Sequence, residues 1–83
     1  MEKSIYTRDY AVVLRLLKEA RKRAGMTQVE FAKRLQQSQS FVSKIERGDR
    51  RLDIVQLRTI CHIFGLTLPE FVEGLETALR ARK

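Results

Sequence analysis

Eighty-three residues, 43% of them hydrophobic, allow one small core and argue against disorder. A single cysteine excludes an intramolecular disulfide and a multi-cysteine metal centre, and a net charge of +7 favours a polyanionic partner. No apolar run approaches a membrane span and no charged segment precedes an apolar signal core; the longest candidate, Ala11 to Leu17, is broken by Arg15.

Met1 to Thr7 is polar apart from Ile5 and Tyr6 and reads as an arm. The first helix is expected from about Arg8 to Ala24, because Tyr10, Val13, Leu14, Leu17 and Ala24 follow the helical period and form a stripe for burial. Gly25 ends it. Arg21 falls on the same stripe one turn after Leu17, where a cation must snorkel or be paired. Glu46, further along, sits near a helix C-terminus, where the dipole disfavours a carboxylate. The two are expected to pair and tie the first helix to the third.

Thr27 to Gly48 reads as two short helices with a tight turn between them. Thr27 and Glu30 have the spacing of a capping box, in which hydroxyl and carboxylate each satisfy a free N–H. Met26 and Phe31 are spaced as a hydrophobic staple across that start. Phe31, Ala32 and Leu35 share one face, and Ala32 is small enough for a close helix crossing. Ser38 is a good N-cap for the next helix, which buries Phe41 or Val42 together with Ile45 and stops at Gly48. Two short capped helices in this order suggest a helix-turn-helix, whose second helix offers its first turn to the major groove. Here that turn carries Gln39 and Ser40, followed by Ser43 and Lys44, all polar.

Asp49-Arg50-Arg51-Leu52 follows as a basic loop. Asp53 with Gln56 predicts a second reciprocal cap, with Leu52 stapled to Leu57. The fourth helix runs from Ile54 to about Phe64, with Ile54, Leu57, Ile60, Cys61 and Phe64 as its buried stripe, and ends at Gly65. Thr67 with Glu70 predicts a third box, Leu66 being stapled to Phe71. Pro69 lies in the first turn of that last helix, where its missing N–H does no harm. The helix continues from about 68 to 79, apolar at Phe71, Val72, Leu75 and Leu79, and Arg80 to Lys83 form a basic, fraying tail. No strand alternation, internal repeat or linker interrupts this, so residues 1–83 read as one all-α, compact five-helix domain. Positive charge thins along it: Arg8 to Ala24 carries +4, Thr27 to Gly48 carries +2, Asp49 to Leu66 carries +1, and Thr67 to Lys83 is neutral.

The stretch from Thr27 to Gly48 resembles the Cro/repressor-type (Xre) helix-turn-helix family. The resemblance rests on Thr27-Gln28, Phe31-Ala32, Leu35, Ser38-Gln39-Ser40, Val42, Ile45 and Glu46-Arg47-Gly48, and extends over roughly residues 10 to 73. It implies a lambda-repressor-like fold with residues 39–47 as the recognition helix. It also implies the Arg21–Glu46 pairing, and Gln28 packed against Gln39 to steady it. In two respects the turn departs from many members, which have glycine where Gln36 stands and an apolar residue where Gln37 stands. Gln36 is therefore expected to take a near-left-handed backbone at modest cost.

On a duplex, neutralised phosphates supply affinity and base edges supply sequence choice. The expected base readers are Gln39, whose amide suits adenine, Ser40, Ser43 and Lys44, which can reach guanine. The expected phosphate contacts are Gln28, Ser38, Arg47, Arg50 and Arg51. The neutral last helix offers Val72, Leu75 and Leu79, with Ile63, for a two-fold interface between copies. Catalysis finds no support: His62 lacks a nucleophile and an acid at convincing positions, no glycine-rich phosphate loop occurs, and Cys61 beside His62 makes no metal site. The expectation is a cytoplasmic, bacterial- or phage-type transcription regulator without cofactor. It would be a repressor binding a palindromic operator on double-stranded DNA as a homodimer. An antitoxin or restriction–modification control protein, with a toxin or other regulator as protein partner, would use the same fold. A protein-interaction adaptor that does not read DNA is the rival from another class.

Overall fold

Each helix begins where a side chain satisfies the free N–H groups of a first turn. The structure, a computed structural model, describes residues 7–81. Among them lie α1 (Arg8–Arg23), α2 (Gln28–Leu35), α3 (Gln39–Arg47), α4 (Ile54–Ile63) and α5 (Leu68–Ala81), with no strand. Thr27 and Glu30 bond reciprocally, at 3.1 and 2.9 Å, as do Asp53 with Gln56 and Thr67 with Glu70. Ser38 caps α3 through its hydroxyl, which accepts from the Phe41 N–H. Thr7 does the same for α1, accepting from Tyr10. Residues 1–6 of the expected arm, and the tail residues Arg82 and Lys83, lie outside the described residues. The last helix reaches Ala81, so Arg80 is helical rather than part of a tail.

Helices α1 to α4 close alike at their C-termini. Near each end a residue in the left-handed conformation and the one after it turn their N–H groups back to carbonyls of the last turn; it is the second residue past α1 and α4 and the first past α2 and α3. Glycine fills that place after α1, α3 and α4. After α2 it is Gln36, at φ 62° and ψ 41°, the only non-glycine with positive φ among the described residues. Its Cβ is crowded there. The gain is a turn short enough to leave only three residues between α2 and α3, with Gln37 exposed.

The core gathers one side of every helix. Leu17 and Ala20 come from α1, Phe31 and Ala32 from α2, Val42 and Ile45 from α3, Ile60 and Cys61 from α4 and Phe71 from α5. Phe64, just past α4, tilts onto Phe31 with ring centroids 4.7 Å apart. Of the two candidates on α3, Val42 is the fully buried one and Phe41 is half-buried at the rim. The stripes shift in two helices. In α1 the buried positions are Val12, Leu17, Ala20 and Arg21, and Ala24 is exposed. In α4, Ile54 is 61% exposed and Val55 68%. The reason is the same for both. Apolar residues there cover more than one face, so periodicity leaves the phase open and the neighbouring helices choose it. Burial pushes the Cys61 thiol above its usual range, which suits a core residue and not a reactive one.

The Gln36 backbone yields a stability test. Gln36→Gly removes the crowded Cβ and is expected to gain about 0.5–1 kcal/mol, the freer unfolded glycine offsetting part of the relief. A thermal melt should show the midpoint rising by several degrees; a lower midpoint contradicts this account of the turn.

Candidate nucleic-acid interface

The first turn of α3 starts at the Ser38 cap and points Gln39 and Ser40 into solvent, with Lys44 one turn on. Val42 and Ile45 point the opposite way, into the core. The polar edge is therefore presented by anchoring the other side of a nine-residue helix.

A polar chain of contacts runs beneath that edge. Arg21 of α1 donates from Nε to Glu46 Oε2 at 2.7 Å and from Nη2 to Glu46 Oε1 at 3.2 Å. Both side chains are nearly enclosed, at 8% and 7% exposure. A third donor, Nη1, reaches the Met26 carbonyl at 2.8 Å, in the link between α1 and α2. Glu46 Oε1 also accepts from the Gln28 amide at 3.0 Å. Gln28 Oε1 in turn accepts from the Gln39 amide at 3.4 Å, a long bond. Buried charge of this kind is tolerable only when paired and further hydrogen-bonded, and here both conditions hold. Glu46 lies near the C-terminus of α3, where the dipole opposes it; Arg21 offsets that.

The remaining expected contacts divide. Ser38 accepts from its own helix and keeps its O–H to donate. Half-buried Ser43 accepts from Arg47 Nη1 at 2.9 Å, and Arg47 Nε donates to Asp49 at 3.0 Å. Arg47 is thus folded back along α3 with part of its charge countered. Arg50 and Arg51 are exposed in the loop, the first over the Phe41 ring at 4.5 Å and the second over the Tyr10 ring at 5.3 Å. Those two stacks, and the turning-back of Arg47, have no sequence signal, since each depends on how a loop folds. On α5 and at the end of α4, Val72 is 39% exposed, and Leu75, Leu79 and Ile63 are half-buried. Among the described residues no cluster of side chains could hold a metal ion.

This geometry has relatives. A helix-turn-helix family model matches residues 17–71. Among solved structures, the chain is similar to an XRE-family like protein from Pseudomonas syringae pv. tomato str. DC3000. The two are 42% identical over 92% of this chain and 93% of that one, with a TM-score of 0.81. It is also similar to the clp gene regulator ClgR from Corynebacterium glutamicum, with a TM-score of 0.74, over 86% of this chain and 76% of that one. At 21% identity, that second likeness is one of fold. No curated protein matches.

The buried pair makes a strong demand on stability. Arg21→Ala or Glu46→Ala alone strands a charge and is expected to cost about 3–5 kcal/mol. Replacing both should cost clearly less than the sum of the single losses. Melting the four proteins side by side measures this, and additive losses would mean the two residues are not coupled.

Proposed function

The chain belongs to the Xre family of helix-turn-helix DNA-binding transcription regulators, and from that premise we propose that it is a repressor binding a palindromic operator as a homodimer. Residues 39–47 enter the major groove. Gln39, Ser40, Ser43 and Lys44 meet base edges, and Gln28, Ser38, Arg47, Arg50 and Arg51 meet phosphate. The observation that carries this is the exposed Gln39 amide, bonded to Gln28 and through it to the buried Arg21–Glu46 pair. A reading side chain held from below loses less freedom on binding. Lys44 reaches further out and is a point charge, so it tolerates more geometries.

The two-fold interface uses Val72, Leu75 and Leu79 of α5 with Ile63 of α4. Its support is the charge pattern: the last seventeen residues are neutral, while the basic residues gather on the other helices and the loop. Two copies joined there keep their basic faces outward, and half-sites about one helical turn apart, roughly 34 Å, follow. Control comes from concentration, a protein partner or proteolysis. Antitoxins and restriction–modification control proteins differ from this reading in their partner gene and not in how they meet DNA. The whole of 1–83 acts as one unit in the bacterial or phage cytoplasm.

Selecting bound sequences from a random duplex pool reads site, symmetry and spacing together. Gln39→Ala is expected to relax preference at one base pair per half-site. Arg51→Ala is expected to weaken all duplexes alike and to flatten the salt dependence. The reverse pattern rejects the residue roles, and a chain that binds no duplex at low salt is an adaptor. Sedimentation at micromolar concentration should find a dimer; a monomer throughout, with and without DNA, removes the two-fold interface.

A further inference from the structure

We propose that Phe41 is a positioning residue for DNA binding: its ring holds the Arg50 guanidinium beside α3 as a pre-ordered clamp for DNA phosphate. This rests on the DNA-binding reading above and adds a device to it.

Four arginines lie in or near α3, and their donors are differently committed. Arg21 is enclosed, with Nε, Nη1 and Nη2 all bonded to protein. Arg47 has Nε on Asp49 and Nη1 on Ser43. Arg51 lies over Tyr10 of α1. Arg50 is held by a ring, its Cζ 4.5 Å from the Phe41 centroid, and is otherwise exposed. Among the described residues it donates no hydrogen bond to protein. A cation over a ring is held electrostatically, and the ring takes the place of no carboxylate or carbonyl acceptor for the five N–H groups. Phosphate oxygens accept from a guanidinium two at a time. The contact with Phe41 therefore orders the side chain and leaves the donors for DNA.

Placement matters as much as order. Phe41 follows Ser40 on the recognition helix and is packed at the rim of the core. Arg50 belongs to the loop between Gly48 and Asp53, which lies outside any helix. Without the ring, nothing on α3 fixes where that loop side chain points. With it, a phosphate contact is set at a constant offset from Gln39 and Ser40. A long arginine loses much rotamer freedom when it is clamped, and part of that loss is taken before DNA arrives.

The test is a double-mutant cycle read by duplex affinity at fixed salt, using a random-sequence duplex. Phe41→Leu keeps the apolar packing and removes the ring. It is expected to weaken binding roughly two- to five-fold, the equivalent of an exposed cation–π contact. Phe41→Tyr keeps the ring and should bind like the unaltered protein. In an Arg50→Ala background, Phe41→Leu should cost nothing more. An equal loss with and without Arg50 assigns Phe41 a packing role only and overturns the proposal, as does no loss at all. A second measurement needs no variant. In the free protein the Arg50 side-chain protons should resonate upfield, shifted by the ring current of Phe41; unshifted resonances overturn the proposal even if Phe41→Leu fails to fold. Should the unaltered chain bind no duplex, the DNA-binding reading fails and this inference with it. Salt-dependent binding with an additive cycle rejects this inference alone.

Discussion

The pair Arg21–Glu46 is the constraint on which the working edge of the molecule depends. It joins three of the five helices with a handful of bonds. Arg21 leaves α1, meets Glu46 of α3 at two oxygens and bonds the Met26 carbonyl just before α2. Gln28 of α2 completes the set on Glu46. Placing two charges in a small core costs desolvation, which apolar side chains of similar volume would avoid. What apolar contacts could not supply is direction. A hydrophobic face can slide or rotate by part of a turn; a forked guanidinium on a carboxylate cannot. The angle of α3, a nine-residue helix, is thus fixed by polar bonds and its depth by Val42 and Ile45.

The turn between α2 and α3 works against this economy at one residue. The chain must reverse within three residues, and the closing geometry requires a left-handed backbone at Gln36. The three comparable closures use glycine. Gln36 is held there by its own N–H to the Lys33 carbonyl and by the next residue's N–H to the Ala32 carbonyl, both near 3 Å. Satisfying those carbonyls outweighs the local crowding. Mild strain is tolerated where packing and hydrogen bonds on both sides over-determine the backbone.

The loop after α3 shows a second way of limiting freedom. Exposed arginines ordinarily sample many rotamers. Here one is tied back by Asp49, and two others lie over aromatic rings from different helices. The stacked pair, Arg50 and Arg51, are adjacent in sequence, yet Phe41 belongs to α3 and Tyr10 to α1. The loop is thereby fastened to α3 and to α1, the helix that braces α3 through Arg21.

Helix starts and stops were legible in the sequence because the chemistry that makes them spans three or four residues. Thr27 with Glu30, Asp53 with Gln56 and Thr67 with Glu70 bond across that short interval whatever the rest of the chain does. Gly25, Gly48 and Gly65 mark three stops for an equally local reason. From these followed the five helices and the all-α class; the family resemblance rested on the run of matching residues between Thr27 and Gly48, such as Phe31-Ala32 and Gln39. Burial was legible only in part. Leu17, Phe31, Ile45 and Phe71 sit where the period puts them, but Ala24 and Ile54 do not, and Val12 and Ala20 are inside. An apolar run covering more than one face has no unique phase until a neighbour packs on it. Arg21 was conspicuous as a cation on an apolar stripe, since a buried charge requires a partner in any fold. The details on which the interface depends came from tertiary structure alone: Arg47 turned onto Ser43 and Asp49, Arg50 over Phe41, Arg51 over Tyr10. These contacts are made by a loop with no hydrogen-bonding period of its own. Its path is set by the two helices it joins, and those helices find their places only when the core closes.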